Sequence, residues 1–136
     1  MIGILIVAHG AFGEALIHSA SHVLGKRPLR VRQVGITVHD DPDSILPQAQ
    51  GLVRDLDDGD GVLVLTDMLG ATPSNIAARL ASPGRVEIVS GASLPMLIRA
   101  LTYRDAALTT VVAKALSGGC EGVAHLSGDW EPHATA

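Results

Sequence analysis

The hydrophobic positions of the chain fall into four short runs, separated by segments with helical periodicity. The runs cover residues 2–8, 29–38, 62–66 and 86–89. The first and third are apolar at almost every position, which is typical of strands buried on both faces of a parallel sheet. The second alternates apolar and polar residues, so it is predicted to lie nearer an edge of the sheet.

Helices are predicted between and after these runs, over residues 12–24, 43–57, 74–80, 93–101 and 104–116. A short last strand is predicted over residues 122–126. Strands that alternate with helices indicate a doubly wound α/β fold with about four parallel strands and helices on both faces. We therefore expect one domain over residues 1–126, followed by a polar tail over residues 127–136.

Composition narrows the choice of function classes. The 136 residues carry a net charge of −4, and the ten Lys and Arg are scattered, so neither a nucleic-acid surface nor a polybasic membrane patch is expected. No apolar stretch approaches the roughly 18 residues that a membrane span needs. The single cysteine, Cys120, cannot form an internal disulfide, and no signal peptide is recognisable, which favours the cytoplasm.

Two of the buried strands end in side chains that carry chemistry. The first run ends at His9, with Gly10 directly after it, and the third ends at Asp67. In open α/β sheets, ligands bind outside the carboxyl ends of the strands. If the two strands are neighbours, Asp67 can fix the tautomer of the His9 ring and raise its basicity, as a nucleophilic or general-base histidine requires.

The segment after Asp67 is a loop of small residues that leads into a helix. Gly70, Ala71 and Thr72 precede Pro73, and backbone N–H groups in such a loop can approach a phosphate closely. Thr72 is a candidate donor to a phosphoryl oxygen, and capping of the following helix is an equally good interpretation of it. No P-loop and no dinucleotide fingerprint is present. A phosphate-binding loop opposite a His–Asp pair indicates a phosphorylated histidine.

Other polar residues give weaker signals. His18 and His22 stand four apart on a predicted helix, a spacing that can chelate a metal, but they share a polar face and are interpreted as solvated surface. His39 ends the second run and keeps a minor role in the site open. Cys120 has no base near it in any pattern, so it is not expected to be a nucleophile. We predict no metal site and no cofactor.

Three blocks of sequence resemble a known family. Residues 7–10 (VAHG), 66–75 (TDMLGATPSN) and 90–97 (SGASLPML) resemble the mannose-family enzyme IIA component of the bacterial phosphotransferase system, and the resemblance extends over about residues 1–126. It departs from the family pattern at Ala71, where the family usually has Gly, at Thr72, where it usually has Ser, and at Ser93, where it usually has Asn.

The resemblance implies a cytoplasmic phosphocarrier. It implies that His9 accepts a phosphoryl group from phospho-HPr, that Asp67 orients the ring, and that the group passes to a IIB component. Gly10, Gly70, Ala71 and Thr72 are then the candidate phosphoryl-binding residues. A homodimer is also implied, in which the last strand packs across the two-fold axis, and the resemblance leaves both sugar transport and regulation open as the role of the protein.

A protein that transfers a group to another protein needs an exposed site with an apolar rim. Phe12 and Met68 are the candidates for docking a partner, whereas Leu69 is expected to pack in the core. One alternative function is the phosphotransfer subunit of a dihydroxyacetone kinase, which shares this fold and a strand-ending histidine. Another is a receiver or small-ligand-binding module, although a receiver would carry acidic residues where His9 and Gly10 stand.

Overall fold

The computed structural model of the protein describes residues 1–128 and 131–132. Within these residues, four strands and five helices follow one another in the order β1 (Gly3–His9), α1 (Phe12–Leu24), β2 (Val31–Ile36), α2 (Pro42–Leu56), β3 (Val62–Thr66), α3 (Thr72–Ala78), β4 (Val86–Val89), α4 (Leu94–Thr102) and α5 (Leu108–Glu121). The predicted α/β class is confirmed.

The strands form one parallel sheet in the order β2-β1-β3-β4. β1 and β3 occupy its centre, as their uninterrupted apolar runs predict, and all their residues except His9 are buried. β2 lies at an edge, in agreement with its alternating pattern, and it leaves Arg32 exposed. Side-chain burial thus determines which strand takes which place.

Two hydrophobic layers cover the sheet. Ile4, Ile6, Leu63 and Leu65 point to one face and pack against α1, α4 and α5. The intervening residues of the same strands point to the other face and pack against α2 and α3. Full burial of each such side chain contributes about 1.5–3 kcal/mol, so these layers supply most of the driving force for folding. Among residues 1–128 and 131–132, no helix has both the length and the apolar character needed to cross a bilayer.

The pairing of β1 with β3 brings their ends together. Val7 lies opposite Thr66 in the register, so His9 and Asp67 follow from adjacent strands at the same edge of the sheet. Parallel strands all present their carboxyl ends at one edge, which is where a ligand crevice forms in this class of fold. The prediction that these two strands are neighbours is confirmed.

The end of the chain differs from the prediction. The expected helix over residues 104–116 is replaced by α5, which begins at Leu108 and continues to Glu121. Arg104 lies before the helix because its buried guanidinium donates to the main-chain carbonyls of Ile2, Leu29 and Arg30. These bonds hold the turn between α4 and α5 to the beginnings of the first two strands.

Two glycines at the end of α5 are sites of close helix packing. A Cβ atom on Gly118 would lie 2.9 Å from Cβ of Arg99, and one on Gly122 would lie 2.7 Å from Cβ of Pro95. α5 can therefore approach α4 closely only because these side chains are missing. The predicted strand over residues 122–126 is wrong for this chain, since those residues form a turn and irregular structure. Most of the predicted tail over residues 127–136 lies outside the described residues.

Candidate active site

His9 and Asp67 are joined side chain to side chain at the carboxyl edge of the sheet. His9 Nδ1 lies 2.7 Å from Asp67 Oδ2, and the backbone N–H of His9 donates to the same oxygen at 2.9 Å. The other oxygen, Oδ1, accepts from the N–H of Met68 at 2.9 Å. Three donors thus fix the carboxylate, and the carboxylate fixes the ring.

The surroundings of Asp67 favour its charged form. Burial raises the pKa of the Asp67 carboxyl, but the hydrogen bonds from the His9 N–H, the His9 ring and the Met68 N–H outweigh it, and the pKa lies below its ordinary value. The side chain of Asp67 is 13% exposed, whereas that of His9 is 49% exposed. The acid is therefore an anchored anion and the imidazole is open to solvent.

This geometry sets the tautomer of the ring. An ionised carboxylate can only accept hydrogen bonds, so the contact with Asp67 requires the proton on Nδ1 of His9. Nε2 then keeps its lone pair on the opposite side of the ring. Asp67 also stabilises the positive charge that develops on the imidazole when Nε2 acts as a nucleophile.

The turn after His9 uses the conformational freedom of glycine. Gly10 adopts φ +52°, and its N–H donates to the carbonyl of Ile36 at 2.9 Å. This bond ties the turn to the end of β2. The N–H of Gly10, one of the predicted phosphoryl-binding groups, is therefore already engaged within the protein.

The loop before α3 is held by Ser74, a residue that the sequence did not single out. The N–H of Gly70 donates to Ser74 Oγ at 2.9 Å, and Ser74 Oγ donates to the carbonyl of Ala71 at 3.0 Å. The predicted phosphoryl contact through the N–H of Gly70 is therefore already taken by a side chain. The N–H of Ala71 points toward the carbonyl of Met68 at a long 3.4 Å and is only weakly bound.

Thr72 is the polar residue of this loop that stays available. It is exposed and begins α3, while Ala71 takes the cap position without a side-chain bond, so the alternative of Thr72 as the helix cap is wrong. Over the described residues, the Thr72 hydroxyl has no hydrogen-bond partner. Thr72 also lines the same cleft as His9.

That cleft has a volume of about 200 Å³ and lies between the ends of β1 and β2 and the start of α3. Its lining consists of His9, Ile36, Thr37, Val38, Asp40, Pro42, Thr72 and Pro73. Thr37, Val38 and Asp40 belong to the β2–α2 connection, of which the sequence analysis kept only His39 open for a role in the site. Their nearness to His9 follows from β2 pairing with β1, since Ile36 lies opposite His9 in the register.

Exposed apolar side chains follow the carboxyl ends of β1, β2 and β3. Phe12 is 37% exposed at the start of α1, and Met68 is 58% exposed after Asp67. Leu69 is 81% exposed, so its expected place in the core is wrong: the chain turns outward at Gly70 before α3 begins. Val38, at 95%, extends this surface on the β2 side. We call Phe12, Val38, Met68 and Leu69 the apolar rim.

The remaining candidates stay apart from His9. His39 is exposed on the β2–α2 connection and does not belong to the cleft lining. The rings of His18 and His22 stack on α1 with centroids 6.4 Å apart. In the described ranges, no group of three or more His, Cys, Asp or Glu side chains gathers in a metal-binding arrangement. Cys120 is exposed near the end of α5.

Comparison with known proteins agrees with this geometry. The sequence model of the family described as "PTS system fructose IIA component" matches residues 3–116. The chain is 30% identical over 125 residues to the mannose-specific EIIAB component of the phosphotransferase system of Escherichia coli. That alignment covers 90% of the chain but only 38% of the Escherichia coli protein.

Two further proteins match the chain over most of their own length. The fructose-specific EIIA component of Bacillus subtilis is 28% identical over 106 residues, which covers 77% of this chain and 72% of that protein. The crystal structure of an EIIA component from Streptococcus agalactiae superposes with a TM-score of 0.83 at 29% identity. It covers 93% of this chain and 98% of its own.

The lowered pKa of Asp67 gives a pH-dependent contribution to stability. Because the pKa is lower in the folded chain than in the unfolded one, this contribution is complete above about pH 4 and disappears as the pH falls through the folded value. Asp67→Asn removes the titration, so the variant should unfold more easily than the wild type at neutral pH. The difference in free energy of unfolding should shrink below about pH 4, as measured by urea denaturation.

Asp55→Asn, at an exposed position of α2, is the control variant. It measures how the loss of one surface carboxylate alone changes the free energy of unfolding. A stability difference between wild type and Asp67→Asn that stays constant or grows in acid would contradict the role given to the three hydrogen bonds.

Proposed function

Because the chain belongs to the IIA family of the mannose and fructose phosphotransferase systems, we propose that it is a phosphocarrier that bears its phosphoryl group on His9. The observation that carries this proposal is the exposed His9 ring held through Nδ1 by the partly buried Asp67 carboxylate. Phospho-HPr is the proposed donor, a IIB component the proposed acceptor, and the cytoplasm the proposed location. The family match favours this function over a dihydroxyacetone kinase subunit or a receiver module.

The proposed reaction is an in-line displacement at phosphorus. The lone pair on Nε2 of His9 forms a bond to phosphorus while the bond between phosphorus and the histidine of the donor breaks, and the donor nitrogen keeps that electron pair. The proton on Nδ1 stays in place, and Asp67 offsets the positive charge on the ring. The reverse displacement then passes the group to the acceptor, so His9 is restored.

The phosphoryl oxygens require donors that are not already engaged. The hydroxyl and the N–H of Thr72 meet this condition, and Thr72 lines the same cleft as His9. We propose Thr72 as the principal phosphoryl ligand, with the weakly bound N–H of Ala71 as the second. Gly10 and Gly70 contribute by shaping the two turns rather than by donating.

Transfer between proteins further requires a surface on which the partner can dock. The apolar rim takes its side chains from α1, from the β2–α2 connection and from the loop after β3, which are the segments that follow the carboxyl ends of β1, β2 and β3. Exposed apolar side chains at a site are typical of protein–protein contacts. We propose that the donor and the acceptor bind this rim in turn.

In this function the phosphoryl group serves either sugar transport or regulation. The chain spans 38% of the Escherichia coli EIIAB relative, so the activity of that whole protein does not transfer to it directly. A homodimer belongs to the same proposal. It is supported by an apolar groove of about 410 Å³ between α1 and α4, lined by Val23, Leu94, Ile98 and Tyr103 among others.

Phosphorylation of His9 is the direct test. The full chain, incubated with phosphoenolpyruvate, enzyme I and HPr, should take up one phosphoryl group in an acid-labile, base-stable linkage, because N-linked phosphohistidine is hydrolysed in acid. His9→Ala should abolish labelling, whereas His39→Ala, at the same edge of the sheet, should retain it. Mass spectrometry of the intact protein at neutral and acidic pH measures both results.

Asp67→Ala should fold and should still be labelled, but about 10- to 100-fold more slowly, since the ring loses its orienting acceptor. Label on a residue other than His9, or no label at all, would reject the phosphocarrier function.

The docking role of the rim can be tested separately. Leu69→Ser should raise the KM for phospho-HPr about 5- to 30-fold with little change in kcat, since burial of one large apolar side chain contributes on the order of 1–2 kcal/mol. Leu29→Ser is the matched control, because Leu29 is 74% exposed and lies before the amino end of β2, away from the carboxyl ends of the strands where His9 stands. Initial rates over a range of HPr concentrations measure the effect. An equal rise in both variants would contradict a local docking surface.

A further inference from the structure

The cleft beside His9 contains a negative charge that the proposed chemistry does not use. Asp40 lines the cleft together with His9 and Thr72, within a volume of about 200 Å³. The lining residues include no Lys or Arg, as far as the structure describes the chain. A phosphoryl group on His9 would therefore share this small space with a carboxylate and with no cation from the same protein.

Local hydrogen bonds hold Asp40 in this position. Its Oδ2 accepts the N–H of Thr37 at 2.7 Å and the hydroxyl of Thr37 at 3.2 Å. Both donors are neutral, so they orient the carboxylate without cancelling its charge. Asp43, three residues further on, differs in having Arg79 at 3.6 Å.

We propose that Asp40 raises the free energy of the phosphorylated protein and thereby makes phospho-His9 a stronger phosphoryl donor. This inference rests on the proposed function. A phosphoryl group brings between one and two negative charges at neutral pH, and a like charge in the same cleft disfavours it. The unphosphorylated His9 ring experiences no such repulsion. Asp40 therefore acts on one side of the equilibrium only.

The transfer step shows where this effect enters. A nitrogen–phosphorus bond to the histidine of HPr breaks as one to Nε2 of His9 forms, the nitrogen of HPr keeps the electron pair, and the proton on Nδ1 of His9 stays on that nitrogen, donated to Asp67. Asp40 touches none of the reacting atoms. Its field changes the free energy of the phosphorylated product, so the equilibrium constant of the exchange reports it.

An equilibrium constant also separates this effect from docking. It compares the two proteins when they are apart, and any change in how tightly they bind cancels. A residue that only helps HPr to dock would alter the rates in both directions and leave the equilibrium where it was.

The test is the equilibrium of phosphoryl exchange between HPr and the full chain, measured by 31P NMR at low salt. Asp40→Asn keeps an oxygen that can accept from Thr37 and removes the charge. It should shift the equilibrium roughly three- to tenfold toward the phosphorylated chain, the size expected for a partly exposed charge pair. Asp40→Glu keeps the negative charge, so its equilibrium constant should lie within about twofold of the wild-type value, a smaller change than the one expected for Asp40→Asn.

Two controls test whether the shift comes from the charge of Asp40 in the cleft. Asp55→Asn, an exposed carboxylate on α2 outside the cleft, should leave the equilibrium unchanged. The shift caused by Asp40→Asn should shrink in about 0.5 M salt, because a field effect is screened whereas a steric one is not. An Asp40→Asn equilibrium equal to that of the wild type, or one shifted toward phospho-HPr, would overturn the inference.

Val38 provides a second route that leaves the contacts between Thr37 and Asp40 intact. It lines the same cleft and is 95% exposed, so Val38→Asp adds a charge there without disturbing the core. Relative to Val38→Asn, it should shift the equilibrium toward phospho-HPr, and no shift would count against the inference. A wild-type chain that accepts no phosphoryl group would overturn the proposed function, whereas a labelled His9 with unmoved equilibria would overturn this inference alone.

Discussion

One carboxylate that receives two hydrogen bonds from the same histidine is the interaction on which the site depends. Asp67 Oδ2 accepts both the ring and the backbone N–H of His9, so it fixes the end of β1 and the direction of the imidazole together. Hydrogen bonds to a charged acceptor contribute about 1.5–3 kcal/mol each, more than those between neutral groups. The N–H of Met68 donates to Oδ1 of Asp67 and so holds the second carboxylate oxygen. Met68 also begins the loop that contains Leu69 and leads to Thr72.

The sheet makes this interaction possible because the order and register of its strands fix where His9 and Asp67 lie. β1 and β3 are adjacent since both are apolar throughout and both need cover on two faces. Their register then sets His9 and Asp67 at the same edge. On the proposed function, the same edge offers the phosphoryl group neutral donors and a nearby carboxylate, and no cation within the cleft lining of the described chain. On that function, such a site would bind the phosphoryl group loosely, as a carrier that must release it requires.

The fold and the central pair could be predicted from the sequence because both depend on strand burial. Apolar runs identify the central strands, and the residue after each run identifies what stands at the edge. The contacts around that pair could not be predicted, since they depend on loops. Ser74 Oγ accepts the N–H of Gly70, and Asp40 lines the cleft from the β2–α2 connection. Both contacts depend on the backbone conformation of loops, which the pattern of apolar and polar residues does not determine. The last predicted helix ends too early, at residue 116, because glycine is common both at helix ends and where helices pack closely.

The ring of His9 in the unphosphorylated protein provides the most direct test of the central claim. Long-range nitrogen–proton NMR spectra distinguish an imidazole that is protonated on Nδ1 from one that is protonated on Nε2. If Asp67 orients the ring, the neutral form of His9 carries its proton on Nδ1, and Asp67→Ala loses that preference. A neutral ring protonated mainly on Nε2 in the wild type would contradict the account, because the nitrogen assigned to attack would then have no lone pair to offer.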